Sequence, residues 1–421
     1  MRVNGRRSYP FTLGVASGDP LPDGVVLWTR LAPEPLAPDG AGGMPAGTVP
    51  VQWEVARDER FRKPVRRGIA LASCQSWIGG RYAAYRTMTE EDLDLVVHVG
   101  DYVYEQAGTH TPADFRLVHA QYKTSVDLQA AYASFPFVAV FDDHEVENNW
   151  AGGASQPDGE PSDDRRRSLA LRAAAFQAYY EHLPLRRPAR PAGPDMLAYR
   201  RLRFGTLADL HVLDTRQYRT NQADDRFIAP RNRAALDPAR TMTGPVQERW
   251  LLDGLDRSPA RWNVVAQQIM MAQYDYDLGP GVSINHDQWD GYAAARERLL
   301  SFIAQRRPSN PVVLSGDWHS SFVNDLKADF DDPQSETLAT EFVGPRSARR
   351  ANGATRSRRH SGSIRTSGSS KGPTTATCAA PSPQSCGAAT TGSSRPPAPP
   401  PHPPPPSPHG WSRTAGPERS R

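Results

Sequence analysis

Four short runs of apolar residues along the chain each end on polar side chains that can bind a metal ion. Uninterrupted runs of this length, rich in β-branched residues, are typical of strands buried on both faces of a sheet. Ligands of open α/β sheets bind at the carboxyl ends of such strands. The runs with their polar ends are Ile69–Cys74, Leu95–Asp101, Phe137–His144 and Val312–His319.

The polar ends of these predicted strands supply an unusual variety of ligand chemistry. They bring a thiol, several carboxylates and imidazoles to one edge of the sheet, and Tyr104 adds a phenol just after the second run. Such a set can hold two or more metal ions, and metal-assisted hydrolysis is therefore the leading prediction from the residues themselves.

Strands alternate with helical patterns from residue 69 to residue 344, which predicts a layered α/β domain. Apolar residues recur at helical spacing over Arg165–His182, and Thr243 and Pro245 mark the start of a helix that runs to Leu255. A further helix is predicted over Gly291–Arg306, and a strand over Trp262–Ala266.

The segment before this domain, residues 11–68, predicts a small and incomplete β-sandwich. Val25–Thr29 and Val51–Val55 have strand-like patterns, and a loop rich in Pro and Gly separates them. A β-sandwich of this kind normally needs about seven strands, and only about three fit before Ile69. Residues 11–68 are therefore expected to be a partial N-terminal domain.

Residues 345–421 differ in composition from the rest of the chain. They hold 12 of the 50 basic residues and one of the 46 acidic ones, so this segment carries +11 and the remainder −7. Its apolar content is too low to form a core, which predicts a disordered basic tail with no part in the fold. Either the tail is natural, or, as we favour, the reading frame changes just after Gly344.

The acidic body argues against a nucleic-acid-binding surface and is compatible with cation binding. Cys74 is the only cysteine before Cys378, so no disulfide framework is expected in the body. No apolar run reaches the ~18–20 residues of a membrane helix. Arg6-Arg7 lacks the apolar stretch that follows a twin-arginine signal, and no export signal is recognised.

The metal-binding residues occur in four short blocks, in a fixed order and each behind a predicted strand. The blocks are Ser73-Cys74-Gln75, Gly100-Asp101-x-x-Tyr104, Asp142-Asp143-His144-Glu145 and Gly316-Asp317-Trp318-His319. They resemble the PhoD-type alkaline phosphatases and phosphodiesterases of the calcineurin-like metallophosphoesterase superfamily. Supporting matches lie at Gly14–Pro20, Val26–Arg30, Leu213–Tyr218 and Trp289–Tyr292.

The resemblance covers residues 11–344 and implies a fold and an activity. The expected fold is an α/β layered sandwich of mixed β-sheets flanked by helices, with 69–344 as the catalytic domain. The expected activity is hydrolysis of phosphate monoesters, diesters or both by a metal-activated hydroxide. The substrate is thus a phosphoester, the protein is expected to be a monomer, and members of the family are typically exported by the twin-arginine route.

The resemblance also implies a site of Fe3+ and Ca2+. It assigns Cys74, Asp101, Tyr104 and His319 to iron, whose trivalent charge suits anionic ligands. Asp101 would bridge to calcium, which prefers hard oxygen ligands. The calcium ligands implied are Asp143 and Asp317, with Asn148 as a further oxygen ligand or a phosphate contact.

Two catalytic roles follow from the same resemblance. His144 would face the leaving group as an acid or as a donor to the phosphate. Arg216 is a candidate phosphate clamp because a guanidinium presents a planar fork to phosphate; the alternative is an ion pair beside Asp214. Asp142 is expected to support its neighbours more than to bind metal.

Several other polar residues have two open interpretations. His98 is expected to pack internally, and His286 is either a loop residue or part of the pocket. Gln267 and Gln268 end a strand, and one of them could face the site. The chain as a whole could also be a truncated remnant that keeps the metal residues without activity, or a metal-binding protein that catalyses nothing.

Overall fold

The structure of the protein is a computed structural model, which describes residues 9–44, 49, 51, 68–80, 82–153 and 165–348. The strands are β1 Val15–Leu21, β2 Gly24–Thr29, β3 Ile69–Ala72, β4 Leu95–His98, β5 Pro136–Ala139, β6 Arg200–Phe204, β7 Ala208–Val212, β8 Ile228–Pro230, β9 Trp262–Ala266, β10 Ser283–Asn285, β11 Pro311–Ser315, β12 Phe322–Lys327 and β13 Thr337–Val343. The helices are α1 Ala83–Thr89, α2 Pro112–Lys123, α3 Val126–Ser134, α4 Arg165–His182, α5 Gly244–Arg257 and α6 Ala293–Arg306.

Two sheets build the fold, and each has a parallel centre. The first sheet has the order β2-β1-β5-β4-β3, in which β1, β5, β4 and β3 run parallel and β2 is antiparallel to β1. The second has the order β12-β13-β11-β9-β7-β6, with antiparallel pairs only at its two edges. A short third sheet pairs β8 with β10.

The sheets pack face to face with helices outside. One core cluster joins Val97 and Val138 of the first sheet to Leu210 and Val264 of the second. A second cluster packs the first sheet against α1 to α4, and a third packs the second sheet against α5 and α6. The arrangement is a layered α/β/β/α sandwich, which confirms the predicted fold class. Strands buried between layers explain the uninterrupted apolar runs in the sequence.

The helix boundaries follow from local sequence. Helix α2 begins at a capping box in which Thr111 and Asp114 satisfy each other's backbone N–H groups, and Pro112 occupies the first turn. Helix α5 likewise has a proline, Pro245, in its first turn. Helix α4 coincides with the predicted Arg165–His182, and β9 coincides with the predicted Trp262–Ala266. None of the helices in the described ranges is long and apolar enough to cross a membrane.

The described part of residues 11–68 extends the first sheet. Strand β1 pairs in parallel with β5 through Ser17 and Gly18, and β2 pairs with β1. Val25–Thr29 is therefore a strand, as predicted. Residues 30–44 form no strand, and most of Val51–Val55 lies outside the described residues.

The first residues of the expected tail are packed against the body, which corrects the predicted boundary at residue 345. Ser347 N–H donates to the carbonyl of Ser73 at 2.9 Å, and Ser73 N–H donates to Ser347 Oγ at 3.1 Å. Ala348 is buried in the core of the first sheet. This contact consists of two hydrogen bonds and one small buried side chain, so a composition poor in large apolar residues did not reveal it. Residues 349–421 lie outside the described residues.

Candidate metal centre and active site

The carboxyl ends of four strands bring the candidate ligands together. Cys74 follows β3, Asp101 follows β4, Asp143 follows β5, and Asp317 and His319 follow β11. Because β3, β4 and β5 are parallel neighbours, their carboxyl ends meet at one edge of the sheet. Backbone hydrogen bonds lock two of these loops together, from Cys74 N–H to the Gly100 carbonyl at 3.1 Å and from Gln75 N–H to the Asp101 carbonyl at 3.0 Å.

The backbone is strained at four of the candidate ligands. Cys74, Asp101, Asp317 and His319 have φ values of 55°, 54°, 59° and 63°, in the left-handed region that non-glycine residues rarely adopt. Each such residue costs of order 1–3 kcal/mol and is maintained by its surroundings, most often at functional sites. Gly100 has φ 111°, and a Cβ there would lie 2.3 Å from the Cβ of Asp142, so only glycine allows this approach of the two loops.

Among the residues that the structure describes, three groups of ligand atoms lie close enough to bind a common ion. The atoms of each group are within 4.8 Å of one another, and Asp101 belongs to all three. The groups are Cys74 with Asp101 and His319, Asp101 with Asp143 and His144, and Asp101 with Asp142, Asp143 and Asp317. A carboxylate shared in this way is placed to bridge two cations.

Tyr104 lies beside the first of these groups. Its hydroxyl donates to Asp101 Oδ2 at 2.8 Å and lies 3.1 Å from His319 Nε2. The structure therefore brings together the four residues that the family resemblance assigns to iron. On the outer side of His319, the exposed Arg346 guanidinium lies 2.8 Å from Nδ1.

The electrostatics of the carboxylates fit a cation. Burial, and next the Asp143 carboxylate, raise the pKa of Asp101, and the same causes raise the pKa of Asp317 to about 6. Burial also raises the pKa of the Cys74 thiol, with Asp101 adding to the effect. Asp101 Oδ1 and Asp142 Oδ2 are buried and accept no hydrogen bond from any described residue. Oxygens left without partners in this way are compatible with metal ligation, because an unpaired buried charge is otherwise strongly unfavourable.

Asp143 behaves differently from its neighbours. Burial opposes its ionisation, but Arg216 and His144 more than offset this and leave the pKa of Asp143 below its usual value. Its two carboxylate oxygens accept the backbone N–H groups of His144 at 3.0 Å and Asn149 at 2.8 Å. Asp143 is therefore a carboxylate that stays charged and fixed in direction.

Glu145, to which the sequence assigned no role, holds two of the ligand loops. Its buried carboxylate accepts the backbone N–H groups of Asp101 at 3.2 Å, Tyr102 at 2.6 Å and Asp142 at 2.8 Å. It is the fourth residue of the Asp142–Glu145 block, and its place in that block was the sequence feature that could have indicated a role in the site. Gln288, also missed, donates to Asp317.

Arg216 lies beneath the carboxylates and is fully buried. Its Nε donates to Asp142 at 2.5 Å and its Nη1 to Asp287 at 3.0 Å, while Nη2 is 3.8 Å from Asp143 Oδ1. It contacts Asp214 only through its backbone N–H, at 2.9 Å. This geometry favours a positioning role for Arg216, because two of its three guanidinium nitrogens are already bound to carboxylates. The phosphate clamp that the resemblance implied would need that fork to be free.

His144 lies beside the metal groups and is held from behind. Its Nδ1 is 2.7 Å from Glu105 Oε2, and its ring packs on Tyr104 with centroids 4.2 Å apart. Burial lowers the pKa of His144, but Asp143, Asp101 and Glu105 outweigh it and raise that pKa well above its usual value. Asn148 donates its backbone N–H to the same Glu105, at 3.0 Å, and its side chain as a ligand stays a prediction.

The remaining polar candidates have structural partners or lie in the core. Gln267 donates to Ser315 Oγ at 2.6 Å, and Gln268 donates to the Leu213 carbonyl at 2.8 Å, so each amide binds within the sheet. His98 is buried against Tyr102, as expected, with ring centroids 5.2 Å apart. His286 is buried too, and in the described residues it belongs to none of the ligand groups.

Strained loops at the ends of parallel strands, with a shared carboxylate, define a metal-dependent hydrolase of the α/β/β/α type. Comparison with known proteins agrees. The family model of the PhoD-like phosphatases matches residues 69–373, and the model of the PhoD-like phosphatase N-terminal domain matches residues 2–99. The chain therefore belongs to the PhoD-like phosphatase family, a family of metal-dependent phosphoric ester hydrolases, as its sequence blocks predict.

Two relatives show how far the likeness extends. Alkaline phosphatase D of Bacillus subtilis (strain 168) is 42% identical over 419 residues, which is 82% of this chain and 71% of the relative. The solved structure described as "Structure of PhoD" matches with a TM-score of 0.76 and 41% identity, over 82% of this chain and 79% of that one.

Proposed function

We propose that this protein hydrolyses phosphate monoesters, diesters or both at a centre of iron(III) and calcium. The observation that carries the proposal is Asp101, which is shared by all three groups of ligand atoms. A shared carboxylate between a group with a thiol and a group of carboxylates suits two ions of different chemistry.

The iron ligands in this proposal are Cys74, Asp101, Tyr104 and His319. Thiolate, phenolate and carboxylate are anionic, which suits a trivalent ion. The calcium ligands are Asp101, Asp143 and Asp317, whose hard oxygens suit that ion, with Asn148 as a further oxygen donor. Asp142 and Arg216 support this set: Arg216 neutralises part of the carboxylate charge and fixes the direction of Asp142.

The ions, when bound, supply an activated water for in-line attack on phosphorus. The protein residues orient the substrate and move the proton. His144, with Nδ1 engaged by Glu105, protonates the leaving-group oxygen through Nε2 or donates to the phosphate. Glu145 keeps the Asp101 and Asp142 loops in register.

The protein acts as a monomer on a phosphoester substrate in this proposal, and its body carries no nucleic-acid-binding surface. Charge supports the second point, because residues 1–345 carry a formal −7. The assembled site and the family match give no support to the alternative of a truncated, non-functional remnant.

Hydrolysis of p-nitrophenyl phosphate and bis-p-nitrophenyl phosphate by the full-length chain tests the proposal. We expect turnover with an alkaline optimum, loss of activity with a chelator and recovery when calcium is restored, with iron retained through the cycle. Turnover of both substrates that a chelator leaves unchanged, or none in a folded protein loaded with both metals, would contradict it.

A further inference from the structure

An aromatic cluster begins directly at the metal centre. Trp318 lies between the candidate ligands Asp317 and His319. Its ring stacks on Tyr276 with centroids 5.7 Å apart and an angle of 29°. It meets Tyr274 edge-on at 4.9 Å and Phe322 at 5.7 Å. We call Tyr274, Tyr276, Trp318 and Phe322 the aromatic cluster.

The cluster is anchored on one side and open on the other. Tyr274 is buried, with 6% of its surface exposed, and it belongs to the core of the second sheet. Tyr276, Trp318 and Phe322 are half-buried and pack against that core. Leu278, two residues beyond Tyr276, is 68% exposed. The half-buried rings therefore offer solvent an apolar surface next to the ligands.

Local structure holds the Trp318 and Tyr276 rings in place. Asp317 and His319, which have left-handed backbone conformations, flank Trp318. The backbone N–H of Trp318 donates to the Gly316 carbonyl at 2.6 Å. The loop that carries Tyr276 is closed by Asp275, whose carboxylate accepts the N–H groups of Asp277 at 2.8 Å and Ser283 at 3.0 Å. A surface fixed in this way loses little conformational entropy when a ligand binds to it.

The surface is also close enough to serve the same substrate. Consecutive Cα atoms are ~3.8 Å apart, so Trp318 starts within one residue of two ligands. The Tyr276 phenol lies within electrostatic reach of Asp317: burial and Tyr274 do most to raise the pKa of Tyr276, and the Asp317 carboxylate adds to it. A phosphate at the metal centre would thus place one esterified group near these rings.

We propose that Trp318 and Tyr276 form a subsite that stacks on a planar aromatic ring in the alcohol part of the phosphoester. The proposal rests on the proposed phosphoesterase function and adds a substrate class, phosphoesters that carry an aryl group or a nucleobase in preference to those without a ring. Flat π-faces of half-buried Trp and Tyr suit either kind of ring, since stacking needs no specific hydrogen bonds. Removing one aromatic side chain that stacks on a ligand ring typically weakens binding about tenfold.

Three substrates test the subsite: phenyl phosphate, adenosine 5'-monophosphate and glycerol 3-phosphate as the alkyl reference. In Trp318→Leu and Tyr276→Leu we expect kcat/KM for one or both ring-bearing substrates to fall about tenfold, through KM, with glycerol 3-phosphate unchanged. Trp318→Phe, which keeps a ring, should keep most of the preference. The loss of kcat/KM measured with phenyl phosphate and with adenosine 5'-monophosphate shows which ring the subsite binds better. Trp262→Leu is the matched control, because Trp262 is a half-exposed tryptophan at the amino end of β9, away from the ligands.

The outcomes separate the subsite from the proposed function. An equal loss for all three substrates would show that Trp318 only supports the fold of the site. No loss for any substrate would show that Trp318 does not contact the ester. Either result overturns the subsite, while turnover of glycerol 3-phosphate upholds the proposed function. A folded, metal-loaded wild-type protein that hydrolyses none of the three and also leaves bis-p-nitrophenyl phosphate intact would overturn both. Turnover of that diester alone would uphold the function and overturn the proposed preference among monoesters.

Discussion

Two groups of buried ionisable side chains in the described residues respond differently to burial. The carboxylate cluster, Asp101, Asp142, Asp143 and Asp317, lies at the strand ends. The basic cluster, His98, His119, Lys123 and His182, lies between the first sheet and its helices. Both groups are removed from water, yet only the carboxylates converge within ligand distance of one another.

The basic cluster avoids buried charge by losing protons. Burial lowers the pKa of both His98 and His119 to about 3 and that of Lys123 to about 7. The Lys123 Nζ lies over the rings of Trp28 and Tyr132, at 4.2 and 4.1 Å from their centroids. These groups sit on regular elements, β4, α2 and α4, and need no ligand to be accommodated.

The carboxylate cluster is neutralised only in part, because burial raises the pKa of Asp101, Asp142 and Asp317 while the net shift in the pKa of Asp143 is downward. Arg216 and His144 keep Asp143 ionised, while Asp101 and Asp317 are in the left-handed region. The comparison teaches that burial of an ionisable group does not by itself mark function. Strained backbone and the convergence of ligand atoms distinguish the candidate metal site from ionisable groups that are merely buried in the core.

The largest effect is expected from the residue shared by all ligand groups. Asp101→Asn removes the bridging charge, so bound metal and phosphatase activity should be lost together, by at least about 10³-fold in kcat/KM. Elemental analysis and the p-nitrophenyl phosphate assay measure both. Asp23→Asn, in the exposed turn between β1 and β2, is the matched control and should behave as wild type. Full activity in a metal-free Asp101→Asn protein would show that the carboxylate cluster is not the catalytic centre.

The next effect separates proton transfer from metal binding. His144→Ala should lower kcat by about 10²–10⁴ while metal content stays unchanged, because a positioned general acid contributes on that scale. Parallel metal analysis checks this division of roles. If His144→Ala empties the site, His144 is a ligand and its proposed role is wrong.

A smaller effect is expected from the residue that holds the loops. Glu145→Gln keeps the shape but weakens the acceptor for three backbone N–H groups, and metal affinity should fall about 10–100-fold. Titration with calcium by calorimetry measures this. An unchanged affinity would mean that the strained loops hold their geometry without Glu145.

The smallest effect concerns the basic cluster and stability alone. The folded-state pKa of Lys123, about 7, lies below its ordinary 10.5. Between these values the unfolded chain keeps a proton that the folded chain has lost, so the free energy of unfolding rises with pH, by at most about 1.4 kcal/mol per pH unit. Lys123→Met should remove this slope, as measured by denaturant unfolding at pH 7, 8.5 and 10. An identical slope in the variant would show that Lys123 stays charged in the folded protein.

Much of this arrangement could be predicted from sequence because each ligand follows a buried strand. Uninterrupted apolar runs locate β3, β4, β5 and β11, and polar residues at their ends point to one edge of the sheet. The family blocks then supplied the ligand types. Local signals were enough for these elements.

The supporting contacts could not be predicted in the same way. Arg216 reaches Asp142 across 74 residues of sequence and Asp287 across 71, and no local pattern reports such pairings. The packing of Ser347 against Ser73 was missed because it uses one backbone N–H and one small hydroxyl across 274 residues of sequence, which no local apolar pattern reports. The aromatic cluster was missed because its members come from two separate loops and β12.

The most direct test of the central claim is an anomalous difference map from crystals of the full-length protein, with data collected on both sides of the iron absorption edge. The account predicts an iron peak bounded by Cys74, Asp101, Tyr104 and His319, and a second, non-iron cation among Asp101, Asp143 and Asp317. No iron peak in metal-loaded, active protein, or a peak that does not involve Asp101, would contradict it.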